Sequence, residues 1–184
     1  MLEPGQGSVD TSGGTLDASH DIAVLNSLIE TTIDSVDGYR RSAQEATNSR
    51  FSAEFLDRAN ERDHVVSQLR ERVRQLGGTP EDDGTVLGAA HRAFLALRDR
   101  ITGGDDASII AEVDHGESYL NGKWETALGD DRLSTQTRTL IQQLYNSVRE
   151  GRERWRRLHE DVAGGAGTVS DASAGAGGTA GTIS

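Results

Sequence analysis

The sequence predicts an all-α protein, a four-helix bundle with a short crossover helix between the second and third long helices. Apolar residues recur at steps of three and four over four long stretches of the chain. No stretch alternates apolar and polar residues as a half-buried strand would. Long amphipathic helices without strands pack as a bundle. The four stretches cover roughly residues 19–47, 50–76, 105–128 and 134–161.

The first two helices are indicated by their apolar stripes. In the first helix the stripe starts at Ile22 and continues for about seven turns. The second helix carries a regular heptad seam with one unusual member, Arg62. This helix ends at Gly77, shortly before Pro80, which is a typical helix stop. The seam consists of Phe55, Ala59, Arg62, Val66, Leu69, Val73 and Leu76.

The second half of the chain predicts three further helices. A shorter crossover helix is expected over residues 85–101, ahead of a glycine pair. The third long helix opens with two aspartates, which are favourable at the N-terminal end of the helix dipole. Trp124 and Trp155 lie on the apolar stripes of the last two helices and are expected in the core. Tyr119 and Tyr145 lie beside these stripes and are expected to be more peripheral.

The two ends of the chain are rich in glycine, serine, threonine and alanine and contain little that a core would bury. We expect residues 1–18 and 163–184 to be disordered tails, because they cannot offset the entropy lost on ordering. The folded domain then spans roughly residues 19–162.

The composition narrows the classes of function. The net charge is −11, which argues against binding to nucleic acid or to an anionic membrane. No apolar run approaches the ~18 residues of a membrane span, and the N-terminus lacks the pattern of a secretory signal. Cysteine is absent, which excludes disulfides and thiolate chemistry. We therefore expect a cytoplasmic protein.

Several short motifs lie on the predicted helices. They are Leu25-Asn26 and "DGYR" (37–40) on helix one, "QLGGTP" (75–80) closing helix two, "LGAAHRAFLALRDRITGGDD" (87–106) over the crossover and "GES" (116–118) on helix three. Together they resemble a bacterial ferritin-like four-helix-bundle family known only as a domain of unknown function, over roughly residues 20–160. The resemblance implies a ferritin-like bundle. It implies no activity, because that family has none assigned.

Helix two contains Glu61 and His64 in the Glu-x-x-His spacing that ferritin-like di-iron proteins use for metal ligands. Such ligands project into the core, so the test is the direction of the side chains. On a helical wheel Glu61 falls roughly 110° from the centre of the apolar stripe and His64 roughly 170° from it. The periodicity therefore favours a solvated His64. The alternative is an iron site formed by Glu61, His64 and Glu117, which requires helix two to be rotated or locally distorted.

Four polar residues fall on inward positions of the helices: Thr32, Tyr39, Arg62 and Glu117. A guanidinium cannot ligate a metal, and a buried charge without a partner is strongly unfavourable. We therefore predict a buried ion pair between Arg62 and Glu117 where relatives hold metal, with Thr32 or Tyr39 completing the network. Breaking such a pair from one side costs about 3–5 kcal/mol. The alternative is that the Arg62 side chain extends along the seam to solvent.

No catalytic residues are identifiable in the sequence. The missing core ligands favour a non-catalytic protein-interaction or stress-related scaffold with a degenerate metal site and no cofactor. The alternative function is iron binding or oxidation, with Glu117 as a ligand. A homo-oligomer or a protein partner is compatible with the scaffold. The segment "REGRERWRR" (149–157) is either a contact surface or a solvated helix face balanced by Glu150 and Glu153.

Overall fold

The computed structural model describes residues 12–82 and 106–165, and every regular element in these ranges is an α-helix. The all-α prediction and the four long helices are confirmed. The predicted crossover helix over residues 85–101 lies outside the described residues. No helix within the described ranges has an apolar stretch long enough to cross a membrane. The helices are α1 (Ser12–Glu45), α2 (Ser49–Gln75), α3 (Asp106–Leu128) and α4 (Thr135–Gly165).

The helix ends refine the predicted boundaries. α1 begins at Ser12 and α4 ends at Gly165, so both helices continue into stretches that were expected to be tails. An apolar stripe marks only the part of a helix that packs on its neighbours, and the turns beyond that part leave no such pattern. α2 ends at the predicted stop. Gly77 has a φ of 79°, which favours glycine, and the Gly78 N–H donates to the Val73 carbonyl at 2.9 Å.

Contacts at the helix ends give the direction of each helix. At one end of the bundle, Asp106 at the start of α3 accepts hydrogen bonds from the turn between α1 and α2. The donors are the Thr47 N–H at 2.8 Å and the Asn48 N–H at 3.1 Å. At the opposite end, His20 near the start of α1 contacts Asp130, just after α3, at 2.8 Å. α1 and α3 are therefore antiparallel.

The start of α4 lies at the second of these ends. Arg72, in the last turn of α2, donates to the Thr137 hydroxyl at 3.3 Å, so α2 and α4 are also antiparallel. α1 and α4 run in one direction and α2 and α3 in the other, which is an up-down-down-up order. α2 consequently ends at the opposite end of the bundle from the one where α3 begins.

Polar side chains separate the interior into two apolar clusters. On α1, Thr32 lies between Ile29 of one cluster and Val36 of the other. Arg62 on α2 and Glu117 on α3 hold the same intermediate position. Thr32, Arg62 and Glu117, here called the polar layer, are all buried. The layer therefore lies near the middle of the bundle, with apolar packing on both sides of it.

A fully buried aspartate, Asp21, fastens α1 to the start of α4. Ser134 caps α4 by accepting the Thr137 N–H at 3.3 Å. The Asp21 carboxylate accepts the Ser134 N–H at 3.0 Å, the Ser134 hydroxyl and the Thr137 hydroxyl, the last at 2.6 Å. The cap of α4 thus depends on a side chain of another helix.

We predict that Asp21→Ala lowers the free energy of unfolding by about 1–3 kcal/mol, because the buried donors of Ser134 and Thr137 lose their acceptor. Urea denaturation measures this loss. Asp57→Ala, which removes an exposed carboxylate on α2, is the matched control and should change the free energy by less than about 0.5 kcal/mol. Equal effects of the two substitutions would show that the Asp21 contacts do not stabilise the fold.

Candidate functional site

The centre of the polar layer is a buried ion pair. Arg62 Nη2 donates to Glu117 Oε2 at 3.0 Å, and the two side chains are 0% and 1% exposed. The same nitrogen donates to the Val148 carbonyl of α4 at 3.1 Å. Arg62 therefore joins α2 to both α3 and α4, and its side chain does not extend to solvent. Arg62 and Glu117, which the helical wheel places on the inward faces of their helices, are therefore in contact.

Glu117 is held from two other directions. The Ser35 hydroxyl of α1 donates to Glu117 Oε1 at 3.5 Å, a long hydrogen bond. The Asn121 side chain, one turn further along α3, donates to the Glu117 backbone carbonyl at 2.8 Å. Sequence reasoning did not include Ser35. It lies one turn after Thr32 at i+3, and this spacing is the signal that would have placed it at the layer.

Thr32 is buried but does not complete the ion pair in the way we expected. Its hydroxyl donates to the Leu28 carbonyl of its own helix at 2.6 Å. A threonine inside a helix commonly uses its hydroxyl in this way, since the carbonyl four residues earlier is always within reach. The threonine thus satisfies its own hydroxyl locally, and Ser35 supplies the contact from α1 to Glu117 instead.

Tyr39 lies beside the layer, within an aromatic group. Its ring centroid is 6.0 Å from Trp155 and 6.3 Å from Phe55, and the Phe55 and Trp155 rings stack at 4.7 Å. Within the described residues the Tyr39 hydroxyl has no hydrogen-bond partner. Burial raises the pKa of Tyr39 well above its usual value, and the nearby Glu117 carboxylate raises it further. Tyr39 therefore stays neutral next to the ion pair.

Charges alternate from the layer to the surface. Arg62 Nη1 lies 4.0 Å from Glu61 Oε1, and Glu61 is in turn held by Arg58 at 2.5 Å and by the Ser147 hydroxyl. Among the described residues, Arg62 Nε and Nη1 have no hydrogen-bond partner. The guanidinium is therefore only partly satisfied by direct hydrogen bonds. Its charge is balanced by Glu117 on one side and by the more distant Glu61 on the other.

The alternative iron site does not form with these side chains. His64 is exposed, and Glu61 is half-buried and held by Arg58. Glu117 is buried, and its carboxylate is bound to Arg62. Among the side chains that the structure describes, no three of His, Cys, Asp or Glu are grouped so that they could hold a metal ion. A donor set with one carboxylate and an adjacent guanidinium does not fit iron, because the guanidinium offers no lone pair and repels a cation.

The fold and the layer define the class of protein: an all-α bundle with an ion pair buried at its centre. A comparison with protein families matched residues 20–130 to the family described as "Domain of unknown function (DUF2383)". The chain belongs to this family. The match covers most of α1 and all of α2 and α3, and so includes Arg62 and Glu117. A search of curated proteins found no match to the chain.

We predict that stability falls as the pH rises above about 10, the usual pKa of tyrosine. Above that pH the unfolded chain releases the Tyr39 proton while the folded chain keeps it, so deprotonation favours unfolding. Tyr39→Phe should reduce this fall, because phenylalanine has no hydroxyl proton to release.

Urea denaturation measures the free energy of unfolding at neutral pH and at about pH 11, the second of which lies above the ordinary tyrosine pKa. Tyr119→Phe is the control, since the Tyr119 residue is 54% exposed and its hydroxyl lies outside the buried core. The same loss of stability in wild type, Tyr39→Phe and Tyr119→Phe would contradict the prediction.

Proposed function

We propose that this protein is a ferritin-like bundle in which an ion pair has replaced the metal centre, and that it acts through protein contacts. The observation that carries the proposal is the fully buried Arg62–Glu117 pair at the middle of the bundle. In ferritin-like di-iron proteins this interior position is filled by carboxylate and histidine ligands from all four helices. Here the same level holds a cation and its counter-ion.

The order of the helices supports a ferritin-like ancestry. An up-down-down-up bundle requires a long connection between the second and third helices, and ferritin-like folds contain one such connection. The end contacts of Asp106 and of Arg72 give this order directly. The motifs over residues 75–80 and 116–118 resemble the same superfamily. Fold likeness alone assigns no activity, so the proposal rests on the layer itself.

The energetics of the pair oppose metal binding. A metal that used Glu117 as a ligand would have to displace Arg62 and leave the guanidinium buried without its counter-ion. Removing one partner from a buried pair costs about 3–5 kcal/mol. The Ser35 and Val148 contacts would be disturbed as well. The layer is therefore arranged to be stable without a metal.

Burial also argues against catalysis at the layer. Arg62 and Glu117 are 0% and 2% exposed, so a substrate could reach them only if helices separated. A concave surface between α2 and α4 is lined by charged side chains and includes neither residue. An enzyme site normally combines a largely apolar pocket with a few reactive groups inside it. A scaffold that uses its outer surfaces fits these features better.

We predict that protein purified from iron-supplemented cells contains far less than one iron per chain, because the layer offers one carboxylate that is already paired. Elemental analysis by mass spectrometry measures the metal content. Glu117→Ala should leave that content unchanged, as should Glu71→Ala, a control at an exposed glutamate on α2. Stoichiometric iron that is lost in Glu117→Ala and kept in Glu71→Ala would overturn the proposal and restore the metalloprotein.

A further inference from the structure

A charged groove of about 490 Å³ runs between α2 and α4, at the end of the bundle where α2 begins. It is open to solvent and lies outside the aromatic group of Phe55 and Trp155, whose side chains are buried. The groove contains both signs of charge. Its lining residues are Arg50, Glu54 and Arg58 of α2 and Glu150, Glu153, Arg154 and Arg157 of α4.

Some of these charges are neutralised within the chain. Arg154 Nη2 binds Glu54 Oε1 at 3.1 Å and so joins α4 to α2 across the groove. Arg58 is engaged by Glu61 at 2.5 Å. The described residues give no carboxylate partner to Arg50 or Arg157; the latter donates its Nε–H to a backbone carbonyl at 3.3 Å. The positive charge without a carboxylate partner in the groove is thus that of Arg50 and Arg157.

The antiparallel register of the two helices sets those places. Phe55 stacks on Trp155 and Arg62 reaches Val148, so residue numbers rise on α2 as they fall on α4. Arg50 and Arg157 consequently lie toward the same, positive end of the groove. Glu150 lies two helical turns from Arg157, ~10 Å away along the axis. Arg58 lies at the same end as Glu150 but is paired with Glu61, so the unpaired charge at that end is negative. The groove is a dipole.

A dipolar groove is complementary to itself after rotation by 180°. We propose that a second copy of this chain docks groove to groove about a twofold axis at the level of Arg154. In that arrangement the positive end of each copy meets the negative end of the other, and Arg157 faces Glu150 of the second copy. A twofold interface repeats every contact twice, so one favourable pairing is doubled. The inference rests on the proposed function, since it names the partner of the scaffold.

The mixed charges favour a second copy over other occupants. A uniformly acidic partner would be attracted by Arg50 and Arg157 but repelled by Glu150 and Glu153. A small molecule would find a charged, open surface instead of the enclosed apolar pocket that such ligands use. Arginine is enriched at protein interfaces and binds carboxylates with two parallel hydrogen bonds. A polar interface of this kind associates weakly and is sensitive to salt.

Sedimentation velocity of the full chain at low salt measures the fraction of dimer. Protein concentrations from about 10 μM to about 1 mM detect dimers with dissociation constants in the micromolar to millimolar range. We expect a concentration-dependent dimer that dissociates when salt is added. Arg157→Glu or Glu150→Arg should each raise the dissociation constant at least about tenfold, because like charges then face each other. Neither side chain belongs to an ion pair within the described residues, so both variants should keep the fold, which circular dichroism checks.

The double variant Arg157→Glu/Glu150→Arg exchanges the two charges, so position 157 of each copy again faces an opposite charge at position 150 of the other, and should restore the dimer to within about threefold of wild type. Arg156→Glu is the control, since Arg156 is 68% exposed on the same helix and lies outside the groove. The proposal is wrong if the chain stays monomeric throughout, if Arg156→Glu weakens the dimer as much as Arg157→Glu, or if the double variant is not restored. A monomer without iron would remove this inference and leave the proposed replacement of the metal centre intact.

Discussion

The contact between Arg62 and Glu117 is the constraint on which the rest of the bundle depends. Apolar packing is not directional, so the clusters on either side of the polar layer tolerate several ways of sliding helices past one another. A buried guanidinium tolerates only the arrangement in which its counter-ion is within reach. Arg62 meets Glu117 of α3 and the Val148 carbonyl of α4, and Ser35 of α1 reaches Glu117. One charged contact thereby couples all four helices at a single level.

The ends of the bundle repeat this use of polar contacts between helices. Asp106 of α3 binds the turn between α1 and α2, and Asp21 of α1 binds the cap of α4. Asn26 of α1 donates to the Thr79 carbonyl at 3.1 Å and accepts the Glu81 N–H at 3.1 Å, just after α2. Each described connection is therefore held by a side chain from a helix that the connection does not itself join. These contacts and the polar layer act together to select one up-down-down-up order.

The sequence predicted the helices well because apolar periodicity depends on local spacing. It also indicated that Arg62 and Glu117 point inward, since both interrupt otherwise regular stripes. It predicted less about the partners of these side chains, which depend on how the helices cross. The Thr32 hydroxyl donates to a carbonyl of its own helix, and the contact of Ser35 with Glu117 was not predicted. Tyr145 was expected to be peripheral but is only 9% exposed: its ring packs in the core while its hydroxyl donates to Glu125 at 2.7 Å, as an amphipathic side chain can.

A double-mutant cycle on Arg62→Met and Glu117→Leu tests the central claim most directly. Each single substitution should lower the free energy of unfolding by about 3–5 kcal/mol, because the remaining charge is buried alone, and the double variant should recover most of that loss. The exposed pair Arg74 and Glu71, 57% and 59% exposed, should show a coupling below about 1 kcal/mol in the same assay. Losses that simply add for Arg62 and Glu117 would contradict the account.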